Sequence, residues 1–143
     1  MSVHIPESHQ DLLLQPINGV LTTMMPDGQP QMSIVWVDYA DEHVLINTTL
    51  ERQKGKNMQA NPKVNVLVID PTNGVRFIEV RGEVAEITSD GAVPHANKQA
   101  RAYSHNHKQR FYGDIYPEEQ QHKETRVLVK ISPQKITTDA KFS

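Results

Sequence analysis

Cysteine is absent from all 143 residues, which excludes disulfides, thiolate nucleophiles and thiolate-held metals together and leaves the redox compartment unmarked by thiol chemistry. A dominant charge is missing too: 15 Lys and Arg stand against 17 Asp and Glu, a formal charge of -2 with neutral histidines. No overall field draws the chain to nucleic acid or an anionic membrane, so any anion site has to be local. No run approaches the roughly 18 apolar residues of a membrane span, and no basic stretch leads into an apolar one at the N-terminus, so a cytoplasmic protein is the expectation. Gly-x-Ser-x-Gly, Gly-x-Gly-x-x-Gly, Walker and His-Glu-x-x-His patterns are all lacking, which removes the common nucleophile, nucleotide and zinc signatures. The 7 histidines are dispersed; no metal is expected, and the imidazoles read as surface groups.

What is present suits one domain over 1–143 with a short N-terminal arm, 1–8, since 37% apolar residues in a chain of this length can fill one core. After the arm, Leu12, Leu13 and Leu14 offer a short helix an apolar cover. Two strands flank Pro26-Asp27-Gly28 in NGVLTTMMPDGQPQMSIVWVDY, Asp-Gly being a tight-hairpin dipeptide. Val44–Asn47 makes a third strand, Thr48 and Thr49 stand ready to cap a following helix, and Asn61-Pro62 ends it. Strands follow over Val64–Asp70 and over Arg76–Ile87, the latter bent or bulged at Gly82. A helical region spans 90–109, and Arg126–Ile131 forms a sixth strand that Ser132-Pro133 interrupts. Six strands with hairpin connections predict a mostly β fold, a small six-stranded antiparallel barrel with flanking helices, because closure hides sheet edges.

The chemistry concentrates in LINTTLERQKGKNM, where a strand runs into Arg52, Lys54 and Lys56 beside Thr48, Thr49 and Asn57. Arginine can hold two phosphate oxygens, lysine supplies a mobile point charge, and a helix start adds N–H groups. Taken by themselves, the same residues read more readily as a solvated surface with Glu51 in partial compensation. Trp36, the sole tryptophan, is suited to core packing or to stacking on a ring, and Tyr103, Tyr112 and Tyr116 are ambiguous in the same way.

Taken in order, GVLTTMMPDGQPQMSIVWVDY, VLINTTLERQKGKNMQANPKVNVLVID, RFIEVRGEVAEIT and VLVKISPQKI resemble the pyridoxamine 5'-phosphate oxidase-like flavin and deazaflavin oxidoreductases over roughly residues 8 to 137. The central block, Asn47-Thr48-Thr49 with Arg52-x-Lys54-x-x-Asn57 and Asn61-Pro62, is the most specific part and is similar to the deazaflavin-binding branch. The resemblance implies a split β-barrel and a homodimer with cofactor sites between subunits. It implies hydride transfer between coenzyme F420 or FMN and a small organic substrate; the alternative is a non-enzymatic binding or storage protein. Arg52 and Lys54 would hold the cofactor phosphate, with Asn47, Thr48, Thr49 and Asn57 nearby and Lys56 toward an anionic tail. Gln31, Met32, Ser33 and Ile34 would run beside the ring, and Phe77 would approach the partner's cofactor. The C-terminus from Thr137 to Ser143 lacks the Arg-x-x-Trp ending of pyridoxamine phosphate oxidases proper, so oxidation of that vitamer is not expected.

Overall fold

Asp27 and Gly28 turn the chain back on itself as their sequence predicts. In a computed structural model describing residues 3–140, β1 (Gly19–Met24) pairs antiparallel with β2 (Pro30–Val35), and Gly28 adopts φ 88, a value that an L side chain resists. Five further strands follow: β3 (Asp38–Ala40), β4 (His43–Thr49), β5 (Lys63–Ile69), β6 (Phe77–Thr88) and β7 (Arg126–Thr138). All pairings are antiparallel, in the order β2-β1-β5-β6-β7-β4-β3.

The two edges, β2 and β3, are separated in sequence only by Trp36 and Val37. In a flat sheet, six strand spacings would hold such edges about 29 Å apart, whereas three peptide units reach about 11 Å at most. The sheet is therefore rolled, its edges brought together without pairing to each other, and the barrel is split rather than closed. Inward positions of alternate strand residues, among them Leu21, Val66, Val68, Ile78, Val80, Val129 and Ile131, form the core, closed by Leu12 and Leu13 of α1 (Asp11–Leu14) and Met58 of α2 (Gln53–Ala60). Leu14, expected to help cover it, is 51% exposed, because the four residues of α1 present only one face to the sheet.

Among the described residues the strand count is seven, not six, and the reason lies at Val37. Its N–H donates to the Tyr103 hydroxyl and its carbonyl accepts from Gln99 Nε2, both side chains of α3 (Ala92–Ser104). Sheet pairing stops there and resumes as β3 against β4. Nor does Ser132-Pro133 end the last strand. Pro133 lies opposite Gly82, where a Cβ would come within 2.7 Å of the Ser132 carbonyl oxygen, and the register slips between Arg81 and Gly82. A glycine facing a proline at a bulge lets β7 run on to Thr138, since the ladder there needs no N–H from the proline. The N-terminal arm joins this strand through the Val3 N–H to Pro133 O; Met1 and Ser2, and Lys141–Ser143 of the C-terminal reading, lie outside the described residues.

Candidate functional site

The end of β4 and the start of β7 lie side by side, Thr49 opposite Arg126. Above them opens a cleft of about 250 Å3, walled by Ile34, Trp36, Phe111 and Tyr116 and given polarity by Asn47, Thr48, Arg52, Lys54 and Arg126. The aromatic wall is fixed from behind: Trp36 stacks on Tyr103 at 5.0 Å and meets Phe111 edge-on at 6.2 Å, geometries that aromatic quadrupoles favour. The Tyr103 hydroxyl in turn donates to Ile17 O. Trp36 thus serves both as packing and as cleft lining.

Helix α2 begins at Gln53, later than a cap at Thr48 or Thr49 implies, and Arg52 takes the cap position. The Thr49 hydroxyl, fully buried, accepts the Arg52 N–H at 3.3 Å. Gly55 allows the first turn to sit on the end of β4, for a Cβ there would lie 2.0 Å from Thr49 O. This close docking carries Arg52 and Lys54 over the cleft.

The electrostatics are lopsided. Arg52 Nη2 donates to the Tyr116 hydroxyl at 2.8 Å, and among the described residues neither Arg52 nor Lys54 has a carboxylate within ion-pair distance. Lys54 is half-buried, and burial, followed by the nearby positive charges of Arg52 and Arg126, pushes its pKa down from the ordinary lysine value. Such a cluster gains stability when an anion enters. Beside it, Thr48 Oγ1 is buried without a hydrogen-bond partner among the described residues, an orphan in the cleft lining of the kind that a ligand satisfies.

Arg126 forms the cleft's inner end. Its side chain is 5% exposed and donates from Nε to the Tyr112 hydroxyl at 3.1 Å, from Nη1 to Asn47 Oδ1 at 3.1 Å and from Nη2 to Glu124 Oε2 at 2.8 Å, with the guanidinium 4.3 Å over the Phe111 ring. Burial favours the neutral form of Glu124, but bonds from Gln120, Tyr112 and Arg126 prevail and hold its pKa below the usual carboxylate range.

Asn47 links this group to a second one. Its Nδ2 donates to Ala92 O at 2.8 Å and to His95 Nδ1 at 3.1 Å, which leaves Oδ1 facing Arg126 and places the His95 proton on Nε2, toward Asp38 Oδ2 at 3.0 Å. Lys98 Nζ donates to the same oxygen at 2.8 Å. Burial would raise the Asp38 pKa; the bonds from His95 and Lys98, with the Tyr39 N–H, overcome it and bring the carboxyl to about 2.

Of the residues singled out in the sequence, Ile34, Asn47, Thr48, Arg52 and Lys54 come together in the cleft. Lys56 is exposed on the helix outside its lining. Asn57 is buried and tied to Thr23, Met25 and Gln31 through Nδ2 and to Gln53 through Oδ1, so it fastens α2 to the β1–β2 hairpin and Gln31 is engaged in the same knot. Met32 and Phe77 line a separate hollow on the outer face of the sheet, with Val20 and Leu67; Ser33 sits between on β2, opposite Leu21. The expectation of surface histidines fails at His9, which is buried, and at His95, which is partly buried, because each gives its ring to a carboxylate, Asp139 and Asp38. Sequence reasoning missed Arg126, Phe111 and Ile115. The only signal for Arg126 was an Arg opening a strand two residues after Glu124.

Comparison with known proteins supplies the context for this geometry. The family model described as pyridoxamine 5'-phosphate oxidase matches residues 5–139. An F420 reductase of known structure is 33% identical, with a TM-score of 0.78 over 93% of this chain and 98% of its own. A conserved hypothetical protein from Mycobacterium tuberculosis is 22% identical, with a TM-score of 0.67 over 96% of this chain and 85% of its own. A candidate pyridoxamine 5'-phosphate oxidase from Listeria innocua, also 22% identical, has a TM-score of 0.65 over 92% and 95%. These last two share the fold.

Proposed function

The chain belongs to the pyridoxamine 5'-phosphate oxidase family, and on that premise we propose that it is an oxidoreductase that uses coenzyme F420 or FMN to transfer a hydride to or from a small organic substrate. The observation that carries this reading is the pair of cations without carboxylates, Arg52 and Lys54, at the mouth of an aromatic-walled cleft. The likeness to an F420 reductase at 33% identity favours the deazaflavin.

The residues present fit such a group. Arg52 and Lys54 would hold the phosphate, Tyr116 and Thr48 offering hydroxyls close by. Bound there, a flavin or deazaflavin supplies hydride chemistry, in which two electrons and a proton move together between ring and substrate carbon. Trp36 and Phe111 exclude water from one side and hold the cleft at a fixed width, and no acid–base pair is required of the protein. Met32 and Ile34, each 71% exposed, stand on the outer sheet face with Val20, Leu67 and Phe77. An apolar face of this kind, continuous with the cleft through Ile34, suits a second copy of the chain that would supply the other wall of the site. This homodimer is part of the reading.

Binding tests it directly. Titration with FMN and with F420 should show saturable binding, and Arg52→Ala or Lys54→Ala should each weaken it by about 1.5–3 kcal/mol, roughly tenfold to more than a hundredfold. A loss below twofold for both variants would place the phosphate elsewhere. Oxidation of the reduced, bound coenzyme by added acceptors would mark an enzyme; tight binding with no turnover would mark a storage protein.

A further inference from the structure

Arg126 carries five N–H donors, and three are engaged, with Tyr112, Asn47 and Glu124. Two remain on a side chain that is 5% exposed and lines the cleft. Each guanidinium nitrogen has a partner, and the second N–H of Nη1 and of Nη2 is left over for a ligand in the cleft. The charge is a different matter, because Glu124 at 2.8 Å already neutralises it. Arg126 is therefore unlike Arg52 and Lys54, whose charges are free to meet an anion: it offers directed N–H groups with little net charge.

We propose that Arg126 is a ring-binding residue, whose two free N–H groups receive a carbonyl or other acceptor oxygen on the conjugated ring of the coenzyme while Arg52 and Lys54 take the phosphate. The assignment rests on the cofactor reading above. It follows from matching each end of the cleft to the chemistry it can satisfy. An uncompensated cation pair fits a phosphate, and a compensated guanidinium fits an uncharged acceptor. The guanidinium is also locked. Its central carbon sits 4.3 Å over the Phe111 ring, Asn47 is held by Ala92 O and His95, and Glu124 is held by Tyr112 and Gln120. A donor fixed on every side reorganises little when the ring enters, and it strengthens its bond as electron density builds on the acceptor oxygen.

Riboflavin, the phosphate-free ring of FMN, separates the two ends. Arg126→Lys keeps a cation for Glu124 and removes the fork. It should weaken riboflavin and FMN by the same factor, tenfold or more, and should return the visible absorption band of bound riboflavin toward its free position, which loss of a mere structural prop would not do. Arg52→Ala should weaken FMN while leaving riboflavin within twofold. If Arg126→Lys leaves riboflavin within twofold and its band unmoved while Arg52→Ala still weakens FMN, the ring assignment is overturned and the phosphate site stands. If the unaltered protein binds neither FMN nor F420, the cofactor reading falls and takes the assignment with it. Should Arg126→Lys not fold, the guanidinium 15N resonances of Arg126 in the unaltered protein decide the matter. They should shift on riboflavin addition, and unchanged resonances at saturation overturn the proposal.

Discussion

His95 Nε2 lies 3.0 Å from Asp38 Oδ2, in a pair whose side chains are 9% and 5% exposed, and it fastens α3 to the first residue of β3. Asp38 has a folded pKa of about 2 against an ordinary 3.8, so the folded state binds its proton more weakly than the unfolded state. The stabilisation is complete above about pH 4 and is lost as pH falls toward 2. Asp38→Asn should lower stability at pH 7 by about 2 kcal/mol, and the gap from wild type should close between pH 4 and 2 in urea titrations at a series of pH values.

Lys54 gives the opposite sign. Its depressed pKa means that the unfolded chain holds this proton more tightly, so the charged lysine destabilises the ligand-free fold at neutral pH, and stability rises with pH as Lys54 sheds its proton ahead of an ordinary lysine. Lys54→Met should raise the melting temperature of the ligand-free protein while weakening FMN at least tenfold, as calorimetry of the free and titrated forms would show.

Thr48 separates the same two roles. Its buried hydroxyl has no partner among the described residues, and an unsatisfied hydroxyl costs about 1–3 kcal/mol. Thr48→Val, nearly the same in shape, should leave the ligand-free protein equally stable or more so, and should reduce coenzyme affinity. A clear loss of stability in thermal unfolding would show instead that the hydroxyl is satisfied in the fold.

Gly55→Ala should be damaging out of proportion to one methyl group. The new Cβ would meet the Thr49 carbonyl oxygen at 2.0 Å, and a backbone atom cannot swing aside, so α2 must lift from β4. A loss on the order of 3 kcal/mol is expected, together with weaker FMN binding, because Arg52 and Lys54 ride on that turn.

Met32 and Ile34 test the proposed second copy. Replacing both with Glu adds charge where each side chain is 71% exposed, which a free surface tolerates within about 0.5 kcal/mol. The expected outcome is an unchanged fold by circular dichroism, half the mass by light scattering and weaker coenzyme binding.

Local signals were readable in the chain wherever one residue type dictates one geometry. Asp27-Gly28 gave away the hairpin, and Gly82 the bulge. The cation cluster was visible because Arg52 and Lys54 are close in sequence, and so are the ends of the turn that carries them. What escaped depends on partners far along the chain. Nothing near Val37 announces that Tyr103 and Gln99 will take its backbone groups and divide one strand into two. Pro133 looks like a stop until Gly82 stands opposite. Asn57 carried the chemistry of a phosphate ligand, yet Thr23 and Gln31 claim it first, and Arg126 acquires its character only when Glu124, Asn47 and Phe111 surround it.

The seam of two residues between β2 and β3 has an optical corollary. The lone indole of the protein sits on it, against Tyr103 and at the cleft wall. Its emission should be quenched by energy transfer when a yellow chromophore settles alongside, and should redden if the sheet margins part. An unlabelled sample thus carries its own gauge of both loading and unrolling, and the two can be told apart by intensity against wavelength.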